Sequence, residues 1–196
     1  MKIIYAHGFA SAGSSGTATH LRNMLYEQGV QVLSPDLPTS PRLAMPFLHD
    51  YVEKEQPDLI VATSMGAFYA EQLRGYRRIL VNPSFQMSRL LIFRGMGRHE
   101  FRNKRADGAK DFKVDKQMIA EFKEVEKNSF QYITPEEKEL VWGLFGNNDR
   151  NVNCQPEFKK HYGTAHFQIF DGEHFLNDKV LKQAVLPVIK SLLSLA

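Results

Sequence analysis

Residues 58–67 read Asp-Leu-Ile-Val-Ala-Thr-Ser-Met-Gly-Ala, a short apolar run that ends on a serine. A run of this kind, without a polar residue at alternate positions, is typical of a strand that is covered on both faces. The residues that follow, 65–74, have a helical pattern that ends at Gly75. We predict the fold from this feature, a buried strand that passes through a serine directly into a helix.

Further segments of the chain repeat the same alternation of strand and helix. The predicted strands are at residues 2–6, 30–34, 59–63, 78–81, 140–145 and 166–170. The predicted helices are at residues 17–28, 46–55, 65–74, 115–127, 156–162 and 177–195, the last with a bend at Pro187. The alternation predicts an α/β fold in which helices cover both faces of a sheet of about six mostly parallel strands.

The alternation is interrupted once, after the fourth predicted strand. Almost 60 residues separate the strand that ends near Val81 from the strand that starts near Leu140, far more than a crossover between parallel strands needs. We therefore predict one domain over residues 1–196, with a cap insertion at approximately residues 85–130. Residues 89–110 hold seven Lys/Arg and two Asp/Glu. Because this segment lacks regularly spaced aromatic residues, a solvated cap is favoured over a nucleic-acid-binding surface.

The composition limits the class of protein. The chain has 196 residues, is 43% hydrophobic, carries a net charge of +3 and contains one cysteine, Cys154. A lone cysteine forms no internal disulfide, which favours a reducing compartment. The sequence shows no signal-peptide pattern and no apolar run long enough to span a bilayer. We expect a cytoplasmic protein without a membrane span or a nucleic-acid partner; its oligomeric state is left open.

Chemically capable residues follow four of the predicted strands. They are His7-Gly8-Phe9 after the first strand, Ser64-Met65-Gly66 after the third, Gly146-Asn147-Asn148-Asp149 after the fifth and Asp171-Gly172-Glu173-His174 after the sixth. Ligands of open α/β sheets bind at the carboxyl ends of the strands. Four strand ends thus offer, in chain order, a glycine turn, a serine, an acid and a histidine.

This order resembles that of the α/β-hydrolase family, whose serine lies in a G-x-S-x-G turn and precedes the acid and the histidine. The turn here is Ala62-Thr63-Ser64-Met65-Gly66, in which alanine replaces the first glycine and adds only a methyl group. The His-Gly-Phe near the N-terminus, the run Ser-Met-Gly-Ala-Phe-Tyr-Ala at 64–70, Asn82-Pro83 and a length below 200 residues resemble the small bacterial YqiA-type esterases. That resemblance implies a hydrolase of carboxylic esters; composition and spacing alone do not.

The expected chemistry assigns a role to each of these residues. His174 would accept the proton of Ser64 as its hydroxyl attacks a carbonyl carbon, and Asp149 would hold the imidazole in the required tautomer. The backbone N–H groups of Phe9 and Met65 would form the oxyanion hole. We expect no metal ion and no organic cofactor. The side chains expected to line a cleft for a small or medium ester substrate are Phe9, Met65, Phe85 and Phe175.

Alternatives for the individual residues stay open at this point. Ser64 could be only the N-cap of the following helix. Asp171 and Asp36 are two further candidates for the acid, although the first lies close to His174 in the sequence and the second precedes the serine. The hydroxyls before the first helix could cap that helix or bind an anion; they belong to Ser11, Ser14, Ser15 and Thr17.

Alternatives for the function also stay open. The same three side chains serve thioesterases and peptidases, and a noncatalytic binding module can keep a hydrolase scaffold. The basic insertion hints at a negatively charged substrate.

Overall fold

The computed structural model describes residues 1–195 and contains eight strands within them. They are β1 (Lys2–Ala6), β2 (Gln31–Leu33), β3 (Leu59–Thr63), β4 (Arg78–Val81), β5 (Gly97–Glu100), β6 (Asp111–Val114), β7 (Val141–Gly146) and β8 (Phe167–Phe170). Six of them form one parallel sheet in the order β2-β1-β3-β4-β7-β8, which confirms the predicted architecture. The strands β5 and β6 form a separate antiparallel hairpin.

Helices connect the strands of the large sheet. They are α1 (Gly16–Leu25), α2 (Pro41–Glu55), α3 (Met65–Glu71), α4 (Met87–Arg94), α5 (Lys116–Glu126), α6 (Pro135–Glu139), α7 (Gln155–Tyr162), α8 (Asp178–Val180) and α9 (Leu186–Leu193). A 3₁₀ turn at Tyr26–Gln28 extends α1, and a π-helical turn at Leu181–Val185 joins α8 to α9. In the described part of the chain, no helix combines the length and the apolar character that crossing a membrane requires.

Successive residues of the strands belong to two hydrophobic cores on opposite faces of the sheet. Ile4 and Leu80 pack in the core that also holds α2, α3 and α5, whereas Ile3 and Ile79 pack in the core that holds α1 and α9. All four side chains are fully buried. Because side chains alternate between the faces of a strand, burial on both faces requires the unbroken apolar runs that the sequence shows.

The start of one predicted helix is wrong, and another predicted helix is divided. Helix α2 begins at Pro41 rather than at residue 46, so Pro46 lies inside the helix. Pro41 occupies a first-turn position, where a missing N–H costs nothing. Ser40 precedes it without a side-chain cap, and its hydroxyl donates to Glu121 Oε2 at 2.5 Å instead. The segment predicted as one helix over residues 177–195 consists of α8, a π-helical turn just before Pro187, and α9, which ends at Leu193.

The segment between β4 and β7 is more structured than the sequence predicts. It contains α4, the β5–β6 hairpin and α6 in addition to the predicted α5. Helix α5 packs against both α4 and α2. The missed elements are short. Strand β5 alternates between exposed and half-buried residues, and only the last residue of β6 is buried, so both lack the apolar runs that reveal the strands of the main sheet.

Candidate active site

Ser64 lies at the junction of β3 and α3 in a strained backbone conformation, with φ +53° and ψ −117°. Its N–H donates to the carbonyl of Val81 at 3.1 Å, and its own carbonyl accepts from the N–H groups of Phe68 and Ser84, each at 3.1 Å. The side chain makes no capping hydrogen bond to α3. The hydroxyl is therefore not used as an N-cap, and the turn presents it at the carboxyl edge of the sheet.

The small residues around Ser64 allow α3 to approach the sheet. A Cβ atom on Gly66 would lie 2.2 Å from the carbonyl oxygen of Ala6, so position 66 has no room for any side chain. Ala62, at the place of the missing first glycine, is fully buried in β3. The close approach is therefore located at the second glycine of the turn, and the methyl group of Ala62 is accommodated in the core.

The three side chains predicted from the sequence form one hydrogen-bonded chain. His174 Nε2 lies 2.9 Å from Ser64 Oγ, and His174 Nδ1 lies 2.7 Å from Asp149 Oδ2. A carboxylate only accepts hydrogen bonds, so Nδ1 carries the proton and Nε2 is free to accept the proton of the serine. The hydroxyl of Ser84 lies 3.0 Å from Ser64 Oγ as a second partner, which the sequence analysis did not single out.

The carboxylate of Asp149 is held by its own loop. Its Oδ1 accepts from the N–H groups of Asn151 and Val152 at 2.8 and 3.0 Å. Burial by itself would raise the pKa of Asp149, but the hydrogen bonds from His174 and these two N–H groups outweigh burial and lower it. The group is therefore ionised when His174 needs a negative partner.

The two alternative acids have other roles in the structure. Asp36 accepts from the N–H groups of Gly13 and Ala106 at 2.7 and 2.6 Å and so joins the first loop to the insertion. Asp171 is exposed and accepts from Asn148 Nδ2 at 3.4 Å. Within residues 1–195, neither carboxylate contacts His174.

Asn82 connects the loops that carry the histidine and the acid. Its Nδ2 donates to the carbonyls of Glu173 and His174 at 2.9 and 3.1 Å, and its Oδ1 accepts from the N–H of Gly146 at 2.7 Å. The side chain is buried, and the backbone has φ +44°. No role for Asn82 was predicted from the sequence. The usable signal was its position directly after a buried strand.

The first loop brings backbone N–H groups close to the serine. A Cβ on Gly8 would lie 3.3 Å from Ser64 Cβ, so this loop is in contact with the predicted nucleophile. No described residue accepts a hydrogen bond from the N–H of Phe9 or from that of Met65. Both N–H groups are thus without an acceptor in the described part of the chain.

His7 shapes this loop and is not placed for proton transfer. Its Nε2 accepts from the N–H of Leu37 at 3.0 Å, which leaves Nδ1 to donate to the carbonyl of Gly8 at 2.9 Å. Burial lowers the pKa of His7. Both ring nitrogens of a neutral imidazole are therefore occupied by the backbone.

A cavity of about 610 Å³ opens over Ser64 and His174. Phe9 and Phe175 line it. Met65 and Phe85 do not, because their side chains are only 6% and 3% exposed and pack in the core below α3 and α4. The ring of Phe85 lies edge-on to that of Phe130, with centroids 4.8 Å apart.

The three serine hydroxyls before α1 are used by the protein itself, whereas Thr17 lies within α1. Ser15 caps α1 by accepting from the N–H of Ala18 at 3.3 Å. Ser11 Oγ donates to Asn103 Oδ1 at 3.0 Å, and Ser14 Oγ donates to the carbonyl of Lys104 at 2.5 Å. These contacts fasten the insertion to the first loop.

One group with metal-ligand geometry occurs on the surface of α2, where the sequence analysis expected none. Potential ligand atoms of His49, Asp50 and Glu53 lie within 4.8 Å of one another. All three residues are exposed, and none of them lines the cavity over Ser64. Exposed groups of this kind are common without an ion, so the cluster carries no assignment.

The sequence matches a family model over nearly its whole length. The model of a family described as "Uncharacterised protein family (UPF0227)" matches residues 2–190. No curated protein matches the sequence.

Solved structures resemble this one over almost the whole chain. Est1E from Butyrivibrio proteoclasticus with bound ferulic acid is 14% identical, with a TM-score of 0.70 over 98% of this chain and 89% of that one. Alpha/beta hydrolase domain-containing protein 10 from mouse is 14% identical, with a TM-score of 0.66 over 98% and 89%. A soluble variant of monoglyceride lipase from Saccharomyces cerevisiae in complex with a substrate analog is 15% identical, with a TM-score of 0.63 over 98% and 86%. These similarities confirm the predicted α/β-hydrolase fold.

Proposed function

The chain is a member of the uncharacterised protein family UPF0227 and has the α/β-hydrolase fold; from this premise we propose that it is a serine hydrolase that cleaves carboxylic esters of small or medium acyl substrates. The observation that carries the proposal is the hydrogen-bonded chain from Ser64 through His174 to Asp149, with separations of 2.9 and 2.7 Å. A side-chain arrangement of this kind turns a weakly nucleophilic hydroxyl into an attacking group.

In the first half of the proposed reaction, Ser64 Oγ attacks the ester carbonyl carbon and His174 Nε2 takes the hydroxyl proton. The carbonyl oxygen becomes an oxyanion in the tetrahedral intermediate. When the intermediate collapses, the bond from carbon to the alkoxy oxygen breaks, and the imidazolium returns its proton to the departing alcohol. The product is an acyl ester on Ser64.

In the second half, a water molecule attacks the acyl-serine and gives its proton to His174 Nε2. Collapse of the second tetrahedral intermediate releases the carboxylic acid and returns the proton to Ser64 Oγ. Asp149 keeps its negative charge throughout, and its hydrogen bond to Nδ1 stabilises the imidazolium that each half-reaction forms.

The N–H groups of Phe9 and Met65 are the proposed donors to the oxyanion. Neither donates to another residue in the part of the chain that the structure describes, and Gly8 brings the Phe9 loop against Ser64. Donors that are already oriented toward a developing negative charge lower the barrier, because the protein does not need to reorganise.

The segment at about residues 85–130 acts as a cap in this proposal. Arg94, Arg102 and Asn103 come from this segment and line the cavity together with Ser64. A cavity of about 610 Å³ suits a small or medium substrate. The cap would set which substrates reach the serine.

Hydrolysis of a series of p-nitrophenyl esters from acetate to decanoate tests the proposal. We expect turnover by the wild type, and loss of at least about 10³-fold in kcat/KM for S64A. The matched control is S84A, which removes only a hydroxyl next to Ser64 and should cost about tenfold or less.

Matched thioesters and aminoacyl amides in the same assay separate the related activities. Amide or thioester turnover above ester turnover would replace the esterase assignment by peptidase or thioesterase. No turnover of any of these substrates, with an intact fold, would favour a noncatalytic binding protein.

A further inference from the structure

Two arginines of the insertion face the cavity above Ser64. Arg94 ends α4, and Arg102 follows β5. Both line the cavity that contains Ser64 and His174, and both are solvent-exposed at its mouth. Positive charge is therefore presented to any molecule that reaches the serine.

Within residues 1–195, Arg94 and Arg102 form no ion pair, whereas two other arginines of the same segment do. Arg98 lies 2.6 Å from a carboxylate oxygen of Asp111, and Arg105 lies 3.1 Å from one of Asp107. Among the ion pairs of residues 1–195, none includes Arg94 or Arg102. Among the described residues, the two guanidinium groups at the cavity therefore have no carboxylate partner.

The contacts that Arg94 and Arg102 do make are with uncharged groups. Arg94 Nη2 donates to Asn151 Oδ1 at 3.0 Å. The guanidinium carbon of Arg102 lies 4.5 Å from the centroid of the Phe175 ring. Each guanidinium has five N–H donors, so both retain donors for an anionic ligand.

The other charges near the cavity do not neutralise the pair completely. Asp178 is the one carboxylate among the described residues that line the cavity, and it lies 2.5 Å from His20. Although the Arg94 side chain is exposed, partial desolvation lowers its pKa, the positive charge of Arg102 lowers this pKa further, and the negative charge of Asp149 raises it. The two guanidinium groups therefore repel each other, and an anion between them would relieve that repulsion.

The backbone holds Arg102 next to the reactive centre. Its N–H donates to the carbonyl of Ala10 at 2.8 Å, in the loop that contains Phe9. The Phe175 ring that it covers lies edge-on to the His174 ring, with centroids 5.3 Å apart. One aromatic ring thus separates the Arg102 guanidinium from the imidazole. The backbone hydrogen bond to Ala10 and the contact with Phe175 together hold the charge in place.

We propose that Arg94 and Arg102 form an anion-binding subsite, and that the substrate carries a carboxylate or phosphate group in addition to the bond that is cleaved. Arginine binds both anions through paired N–H donors. That the bound anion is part of a substrate rests on the proposed ester hydrolysis. The binding of an anion at the subsite does not depend on catalysis.

The first test compares two esters of similar size, p-nitrophenyl hemiglutarate with a free carboxylate and p-nitrophenyl pentanoate without one. We expect the wild type to prefer the charged ester in kcat/KM, and R94Q and R102Q each to reduce that preference by about tenfold. R89Q is the matched control. It removes one positive charge from α4, the helix that also carries Arg94, at a residue that is exposed and does not line the cavity. It should leave the preference for the charged ester unchanged.

The second test measures anion binding without chemistry. Glutarate, inorganic phosphate and butyrate are titrated by calorimetry into wild type, R94Q, R102Q and R89Q. Tighter binding of glutarate than of inorganic phosphate identifies a carboxylate subsite, and the reverse order identifies a phosphate subsite. In either case the affinity should fall about tenfold in R94Q and R102Q only.

The two proposals fail in different ways. Turnover of both esters with no charge preference, or anion binding that survives both substitutions, would overturn the subsite and leave ester hydrolysis intact. Absence of turnover together with arginine-dependent anion binding would overturn ester hydrolysis and keep the subsite.

Discussion

The carbonyl oxygen of Ala6 lies so close to Gly66 that a Cβ atom on residue 66 would be 2.2 Å from it. We expect G66A to force α3 away from β1 and to lower the free energy of unfolding by about 1–3 kcal/mol, the usual cost of overpacking. The same shift would move Ser64, two residues earlier, away from His174. Chemical denaturation together with ester turnover measures both effects.

A62G is the matched control for that prediction, because it changes the other small residue of the turn in the opposite direction. It restores the glycine of the G-x-S-x-G pattern and removes one buried methyl group. We expect a loss of only about 1 kcal/mol in unfolding free energy and activity close to that of the wild type. If G66A were as stable and active as A62G, the close approach of α3 to the sheet would be important neither for stability nor for activity.

The acid of the hydrogen-bonded chain is tested by D149N. An amide at this position can no longer accept the Nδ1 proton with a full negative charge, so we expect kcat to fall by about 10³- to 10⁴-fold. The matched control is D171N, at an exposed carboxylate that lies close to His174 in the sequence. It should stay within about twofold of the wild type, and a large loss in D171N with a small one in D149N would reverse the assignment of the acid.

Asn82 is predicted to position the histidine loop. N82D keeps an acceptor for the N–H of Gly146 but replaces the donor to the carbonyls of Glu173 and His174 by a carboxylate oxygen. We expect kcat to fall about 10- to 100-fold with a smaller change in KM, and the unfolding free energy to drop by about 1–3 kcal/mol. N128D makes the same exchange at an exposed residue and should change neither quantity. A normal kcat for N82D would show that the loop is held without this side chain.

Cys154 is predicted to make stability depend on pH in the alkaline range. Burial raises the pKa of its thiol from 9.0 to about 11, so the native state holds the thiol proton more tightly than the unfolded chain. The resulting stabilisation is complete below pH 9 and is lost as the pH rises to about 11. Relative to C154A, the wild type should lose about 2–3 kcal/mol of unfolding free energy over that interval. Parallel pH profiles of the two proteins would contradict this assignment.

The sequence predicted the large sheet well because its strands are buried on both faces. Strands β1, β3 and β4 begin and end at the predicted residues, since continuous apolar runs bounded by polar residues mark a strand without tertiary information. The order of serine, acid and histidine was predicted on related grounds. Each of these residues follows such a strand, and the carboxyl ends of parallel strands lie at one edge of the sheet.

The predictions that depended on long-range packing were less successful. Position in the sequence suggested Met65 and Phe85 as cleft residues, but only the packing of α3 and α4 onto the core shows that both are buried. The hydrogen bonds from Asn82 to the histidine loop join residues about 90 positions apart. No local sequence pattern could reveal these hydrogen bonds. Nor could a local pattern show which arginines of the insertion form ion pairs.

Labelling with a fluorophosphonate probe tests the central claim most directly, because the probe reports whether Ser64 is an activated nucleophile without knowledge of the substrate. We expect one adduct per folded wild-type chain, located on Ser64 by mass spectrometry, none on S64A, and labelling of H174A slower by about 10²-fold or more. A folded wild-type protein that carries no adduct on Ser64 would contradict the account.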